Sequence, residues 1–123
     1  MAKRKAGRDS IKLCDAIVKG MQEKKALDIV ILDLREVKNA VAEFFVVCSG
    51  TSDKHLAALA DSVDAFVLKT LKEDPWHMEG KNNKEWVLLD YINVVVHIFK
   101  NDKRGYYDLE KLWGDAEIKK IKD

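Results

Sequence analysis

Apolar residues recur at helical spacing near the start of the chain. Ile11, Cys14, Val18 and Met21 form one stripe with Ile17 beside it, and Lys12, Asp15, Lys19 and Glu23 fill the opposite side. This predicts an amphipathic helix to about Lys25, capped by Asp9 or Ser10. The pattern then changes. Asp28 to Leu34 and Glu43 to Ser49 are short apolar runs rich in β-branched and aromatic residues, separated by a polar connection from Arg35 to Ala42. Both read as strands buried on two sides. Gly50-Thr51-Ser52-Asp53 is a strand-to-helix turn with a capping hydroxyl from Thr51 or Ser52. The helix it starts carries Leu56, Leu59, Ala60, Val63, Val67 and Leu71 on one face, runs to about Glu73 and is stopped by Pro75.

The remaining third alternates with period two. A short strand is expected at Trp76 to Glu79, then a turn opening at Gly80, then strands at Trp86 to Tyr91 and Val94 to Phe99 joined at Ile92-Asn93. Asn101 to Gly105 reads as a break. A last short helix is expected from Asp108 to Trp113, and the charged residues from Gly114 onward are expected to fray. The order is helix, two strands, helix, three strands, short helix. It predicts an α/β (α+β) fold with a mixed five-stranded sheet and flanking helices. The second strand, its helix and the next strand should form a right-handed crossover. Two strong helices and one short one leave some apolar sheet surface uncovered, and such a patch marks a partner site.

At 123 residues the chain is expected to be one domain. Its formal charge of +1 offers no whole-molecule case for nucleic acid or an anionic membrane. Basic residues gather at the ends, at Lys3, Arg4, Lys5, Arg8 and Lys12 and at Lys119, Lys120 and Lys122, and read as solvated tails. An RNA-binding module using those ends is a weaker reading. Cys14 and Cys48 lack metal spacing and read as reduced core thiols. No apolar run of membrane-spanning length and no secretory h-region is present, which predicts a cytoplasmic protein without a membrane partner.

Candidate chemistry is thin. The Gly50-Thr51-Ser52 turn could hold a phosphate on helix N-terminal amides, but no Walker lysine follows. Nucleotide transfer needs converging metal-binding carboxylates, and Asp61 and Asp64 sit on or near the exposed side of their helix. His55, His77 and His97 share no ligand pattern, and His97 reads as a hydrogen-bonded structural histidine. Asp33 and Asp90 read as turn or network carboxylates. No catalytic residue, cofactor or metal is therefore expected. Trp113 should dock the last helix, Trp76 should pack under a loop, and Trp86 is either a core aromatic or an interface anchor.

Five segments in order carry a resemblance over residues 10–115: Ser49-Gly-Thr-Ser-Asp53, Glu79-Gly80, Trp86-Val-Leu-Leu-Asp-Tyr91, Val95-Val-His-Ile-Phe99 and Arg104-Gly-Tyr-Tyr-Asp-Leu-Glu-Lys-Leu-Trp113. Together they resemble the ribosomal silencing factor family, also called Iojap. The resemblance implies a nucleotidyltransferase-like fold without catalytic carboxylates, and no enzymatic activity. It implies binding to the large ribosomal subunit through its ribosomal protein fourteen, blocking small-subunit joining and repressing translation when nutrients are scarce. It also implies a homodimer off the ribosome and no sequence-specific nucleic-acid partner. On this reading the docking residues are Trp86, Leu88 and Asp90, with Glu79, Met78 and Tyr91 nearby. Arg104, Tyr107 and Leu109 match a family motif, with packing and contact roles both open. Residues 1–9 are then a flexible basic start, 10–115 the domain and 116–123 a charged tail. A nucleotidyltransferase-type nucleotide-binding enzyme is the alternative.

Overall fold

A computed structural model describes residues 7–80 and 85–122. The elements are α1 (Gly7–Glu23), β1 (Leu27–Asp33), β2 (Phe44–Gly50), α2 (Asp53–Leu71), β3 (His77–Glu79), β4 (Trp86–Asp90), β5 (Val94–Lys100), α3 (Asn101–Tyr107), α4 (Leu109–Leu112) and β6 (Glu117–Lys120). The turn expected after Gly80 and the first six residues of the basic start lie outside the described residues.

The sheet is mixed and has six strands, in the order β3-β4-β5-β2-β1-β6, against the five expected. The β2–β5 pair is parallel and the other neighbours are antiparallel. The additional strand is β6, in the segment expected to fray, paired with β1 from Asp33↔Glu117 to Val30↔Lys120. All four of its residues are exposed. What holds it is the unpaired edge of β1, since its charged side chains give no apolar signal and suit an outer edge.

The crossover from β2 through α2 does not return beside β2. β3 goes to the far edge and β5 takes the central place. Burial explains the choice. Val94 to Phe99 are buried throughout, whereas both ends of the three-residue β3 are exposed. Only a strand apolar on both faces can occupy the middle of a sheet covered on both faces.

One face packs against α1 and α2. Leu13, Cys14, Ile17 and Met21 of α1, with Leu56, Leu59, Val63 and Val67 of α2, close over Val46, Cys48, Val87, Leu89, Val96 and Ile98. The two helices touch at Gly20, where a Cβ would lie 2.9 Å from the Val63 Cα, and the Ser62 hydroxyl donates to the Gly20 carbonyl at 2.7 Å. The start of α1 departs from expectation. The helix begins at Gly7, so Ser10 is not a cap but a buried continuation of the inward stripe, and Ile11 turns outward at 46 % exposure. α2 starts as expected on Ser52, whose hydroxyl accepts from the His55 amide. It ends at Leu71, before Pro75, on a left-handed Lys72 whose amide donates to the Leu68 carbonyl.

The other face is better covered than the helix count implied. Leu109, Tyr107, Trp113 and Ala116 from the C-terminal segment, and Leu34, Val37, Ala40 and Ala42 from the β1–β2 connection, pack over Val30, Leu32, Phe45, Val47, Val95 and Phe99. The expected break after Phe99 is in fact α3. Propensity argues against a helix through Gly105, so tertiary anchoring prevails there. Arg104 supplies it, donating to the Asp28 carbonyl (2.6 Å), the Ser49 hydroxyl (3.0 Å) and the Glu110 carboxylate (2.8 Å). Asp108 then serves two helices, ending α3 with its amide on the Arg104 carbonyl and capping α4 with its side chain.

Candidate interaction face

The β4–β5 ladder sets Trp86 opposite Phe99, Leu88 opposite His97 and Asp90 opposite Val95. Directly paired residues share a face. Trp86, Leu88 and Asp90 therefore lie on the face that carries the C-terminal helices. β3 adds Glu79 opposite Leu88 and His77 opposite Asp90. Met78 pairs with Leu89 and points the other way, packing against the core under α1 and α2. Tyr91 belongs to that same core, and burial raises its phenol above the ordinary range. Of the six residues singled out from sequence, the fold brings together Trp86, Leu88, Asp90 and Glu79. Met78 and Tyr91 support the sheet from behind.

Trp86 is half-buried among aromatic rings. Its ring centroid lies 4.7 Å from Tyr107, 5.0 Å from Phe99 and 5.7 Å from His97. Phe45 continues the cluster, 4.6 Å from His97 and edge-on to Trp113 at 5.8 Å. The Trp86 indole N–H donates to His97 Nδ1 at 3.0 Å. That assigns the imidazole proton to Nε2. His97 is only 4 % exposed, and burial pushes its pKa down to about 3, so the ring is neutral. Sequence marked His97 as a structural histidine but did not reveal its partner. Alternation sets His97 and Phe99 on one face of β5, but placing Trp86 on that face needed the register.

The most exposed tryptophan is Trp76, at 73 % exposure, not packed under a loop as expected. Its amide donates to the Asp90 carbonyl at 2.7 Å, which ties the backbone to β4 while the side chain stays outside. Trp113 packs on the core as expected. Gly80 stands at the entrance to β4 with φ +91°, and a Cβ there would fall 2.0 Å from the Trp86 carbonyl oxygen. Only glycine fits that approach.

The carboxylates serve local structure. Asp90 accepts from the Ile92 amide at 2.7 Å, closing the β4–β5 turn around a left-handed Ile92. Asp33 takes a two-pronged hydrogen bond from Arg35 (3.0 and 2.8 Å). Glu79 pairs with His77 at 2.7 Å, both exposed. Arg104 and Leu109 are held by packing and buried contacts, and Tyr107 stacks on Phe99 and lies tilted against Trp86, so for these three the structure supplies packing roles.

The Gly50 turn is poorly suited to phosphate. The Thr51 amide already donates to His55 Nδ1 (2.9 Å), and the His55 amide donates to Ser52 Oγ (3.1 Å). His55 Nε2 in turn bonds the Lys24 carbonyl at 2.8 Å, fixing the ring between α1 and α2. A Cβ at Gly50 would meet Leu56 Cδ1 at 2.8 Å, so the glycine makes room for helix packing rather than for a ligand. Asp53 is bridged by Lys100 at 3.2 Å. Among the described residues no three His, Cys, Asp or Glu side chains converge on a metal position. Cys14 and Cys48 are buried free thiols, each pushed up to about 12 chiefly by burial. Among the described residues no helix is long and apolar enough to cross a membrane.

Comparison with known proteins agrees with this architecture. Residues 7–123 match the family described as "Ribosomal silencing factor during starvation". The chain is 43 % identical over 100 residues to ribosomal silencing factor RsfS of Bacillus subtilis, covering 78 % of this chain and 80 % of that protein. It is 31 % identical over 101 residues to the mouse protein named mitochondrial assembly of ribosomal large subunit protein 1, covering 80 % of this chain and 44 % of that one. A crystal structure of a Chromobacterium violaceum protein superposes with a TM-score of 0.77 at 34 % identity, covering 84 % of both chains. One from Bacillus halodurans gives 0.74 at 31 % identity, covering 91 % of this chain and 98 % of that one. With a mixed sheet and helices that align over most of their length with these relatives, the chain belongs to the ribosomal silencing factor family.

Proposed function

We propose that this protein is a non-enzymatic repressor of translation. It binds the large ribosomal subunit through ribosomal protein fourteen, sterically blocks joining of the small subunit, and does so under nutrient limitation. The observation that carries the reading is the half-exposed strip at the β3–β4 edge, where Trp86, Leu88, Asp90 and Glu79 share one face. Elsewhere that face is packed under α3, α4 and the β1–β2 connection. Occlusion needs only an interface of ordinary size, about 800 Å² per partner. Trp86 and Leu88 supply an apolar centre, and Asp90 and Glu79 a polar rim. Off the ribosome the protein forms a homodimer, and it works in the cytoplasm. The nucleotidyltransferase reading loses support because the Thr51 and His55 amides at the Gly50 turn are spent on internal acceptors.

The test is sedimentation with separated large subunits, small subunits and joined ribosomes. The expected result is co-migration with large subunits and loss of joined ribosomes as protein is added. Glu79→Arg, an exposed change, and Trp86→Ala, checked for folding by circular dichroism, should each weaken co-migration. Trp76→Ala alters a more exposed tryptophan beyond the strip and should leave it intact. Association that survives Trp86→Ala and Glu79→Arg but fails with Trp76→Ala would move docking to the other side of the edge.

A further inference from the structure

We infer that His97 is a positioning residue for the interaction face: its Nδ1 holds the indole of Trp86 in the orientation that the strip presents to a partner. The presentation of a partner surface rests on the proposed docking role of Trp86; the positioning of the indole does not.

Three observations lead here. The first is register. Trp86 pairs with Phe99, so His97 is its diagonal neighbour on the same face, within reach of a long aromatic side chain. The hydrogen bond between them is 3.0 Å. The second is context. Val94, Val95, Val96, Ile98 and Phe99 make β5 apolar as far as Lys100 at its end, and His97 is the polar side chain buried among them. Among the described residues its Nε2 is buried with no hydrogen-bond partner. An imidazole that strands one N–H in the core stabilises the sheet less than an apolar side chain of the same volume would. What it offers that leucine cannot is an acceptor aimed at Trp86. The third is freedom. Trp86 is half-buried, with Phe99 and Tyr107 rings against it. Ring packing tolerates several tilts. A directional N–H···N bond selects one of them. Burial keeps the ring neutral, so the acceptor persists through the physiological range.

Two variants test this. His97→Leu fills the space without an acceptor, and His97→Asn offers an amide oxygen near the Nδ1 position. The direct readout is the indole N–H resonance of Trp86 in the intact protein, with those of Trp76 and Trp113 as internal references. His97→Leu should shift the Trp86 resonance and leave the Trp76 resonance in place, while thermal stability holds or rises. His97→Asn should restore the resonance toward its original position. Affinity for large subunits should fall roughly tenfold in His97→Leu, about the worth of one hydrogen bond. In a Trp86→Phe background the same change should have no further effect, because the donor is gone. An unshifted Trp86 resonance in His97→Leu overturns the positioning role. So does an equal loss of affinity with and without the Trp86 donor. If the leucine variant fails to fold, a restored resonance in His97→Asn supports the role, and a resonance displaced as far as in unfolded protein refutes it. Should Trp86→Ala leave ribosome association intact, the docking reading fails, while the resonance still decides what His97 does to Trp86.

Discussion

Acidification should weaken this fold through His97, and the size of the effect follows from its burial. The imidazole is neutral in the fold because burial pushes its pKa from 6.5 to about 3. The unfolded chain takes up a proton on this side chain below about pH 6.5, whereas the folded protein does not until about pH 3. Between those values the unfolded state binds more protons, so stability rises with pH. The contribution is present in full above the unfolded value and is lost progressively as pH falls toward the folded one. Each pH unit in the window is worth about 1.4 kcal/mol. The loss is then about 2 kcal/mol by roughly pH 5 and approaches about 5 kcal/mol at the lower end. Urea denaturation of the wild type and His97→Leu at neutral pH and near pH 5 measures it. Contributions from every other group enter both proteins and cancel in the comparison. The wild type should lose about 2 kcal/mol more than the variant on acidification. Parallel pH profiles would refute the reasoning, since they require His97 to take up its proton as readily inside the fold as outside it.

Other perturbations probe the packing that supports the interaction face. Gly20→Ala forces a Cβ to 2.9 Å from the Val63 Cα, against backbone that cannot swing aside, and should cost about 1–3 kcal/mol in chemical denaturation. A variant as stable as the wild type would mean that α1 and α2 can separate freely. Arg104→Ala removes donors to the Asp28 carbonyl, the Ser49 hydroxyl and the Glu110 carboxylate. It should lower stability by about 2 kcal/mol and speed amide exchange in α3; unchanged exchange there would show that α3 does not depend on this anchor. Cys14 and Cys48, buried and with pKa raised to about 12, should resist alkylation at neutral pH until the protein unfolds. Rapid labelling of the native protein would contradict that burial.

The elements with strong periodicity could be read directly. The stripe from Cys14 to Met21, the stripe from Leu56 to Val67 and the apolar runs of β1, β2, β4 and β5 all appear where the pattern put them. A buried face needs apolar side chains at the period of its backbone, so the pattern is visible in one dimension. Alternation also fixed Trp86, Leu88 and Asp90 on one face. Other features depended on neighbours distant in sequence. β6 exists because β1 has an open edge, and α3 is anchored by an arginine that reaches β1 and β2. β3 lies at the sheet edge because β5 is the better-buried strand beside β2. The tryptophans make the distinction plain. Local pattern placed Trp76 under a loop and left Trp86 open between core and interface, yet the first stands in solvent and the second is hydrogen-bonded to His97. Local sequence determined which face each strand residue occupies, because side-chain direction follows from backbone period. Tertiary structure decided which parts of those faces stay open, because cover comes from segments far along the chain.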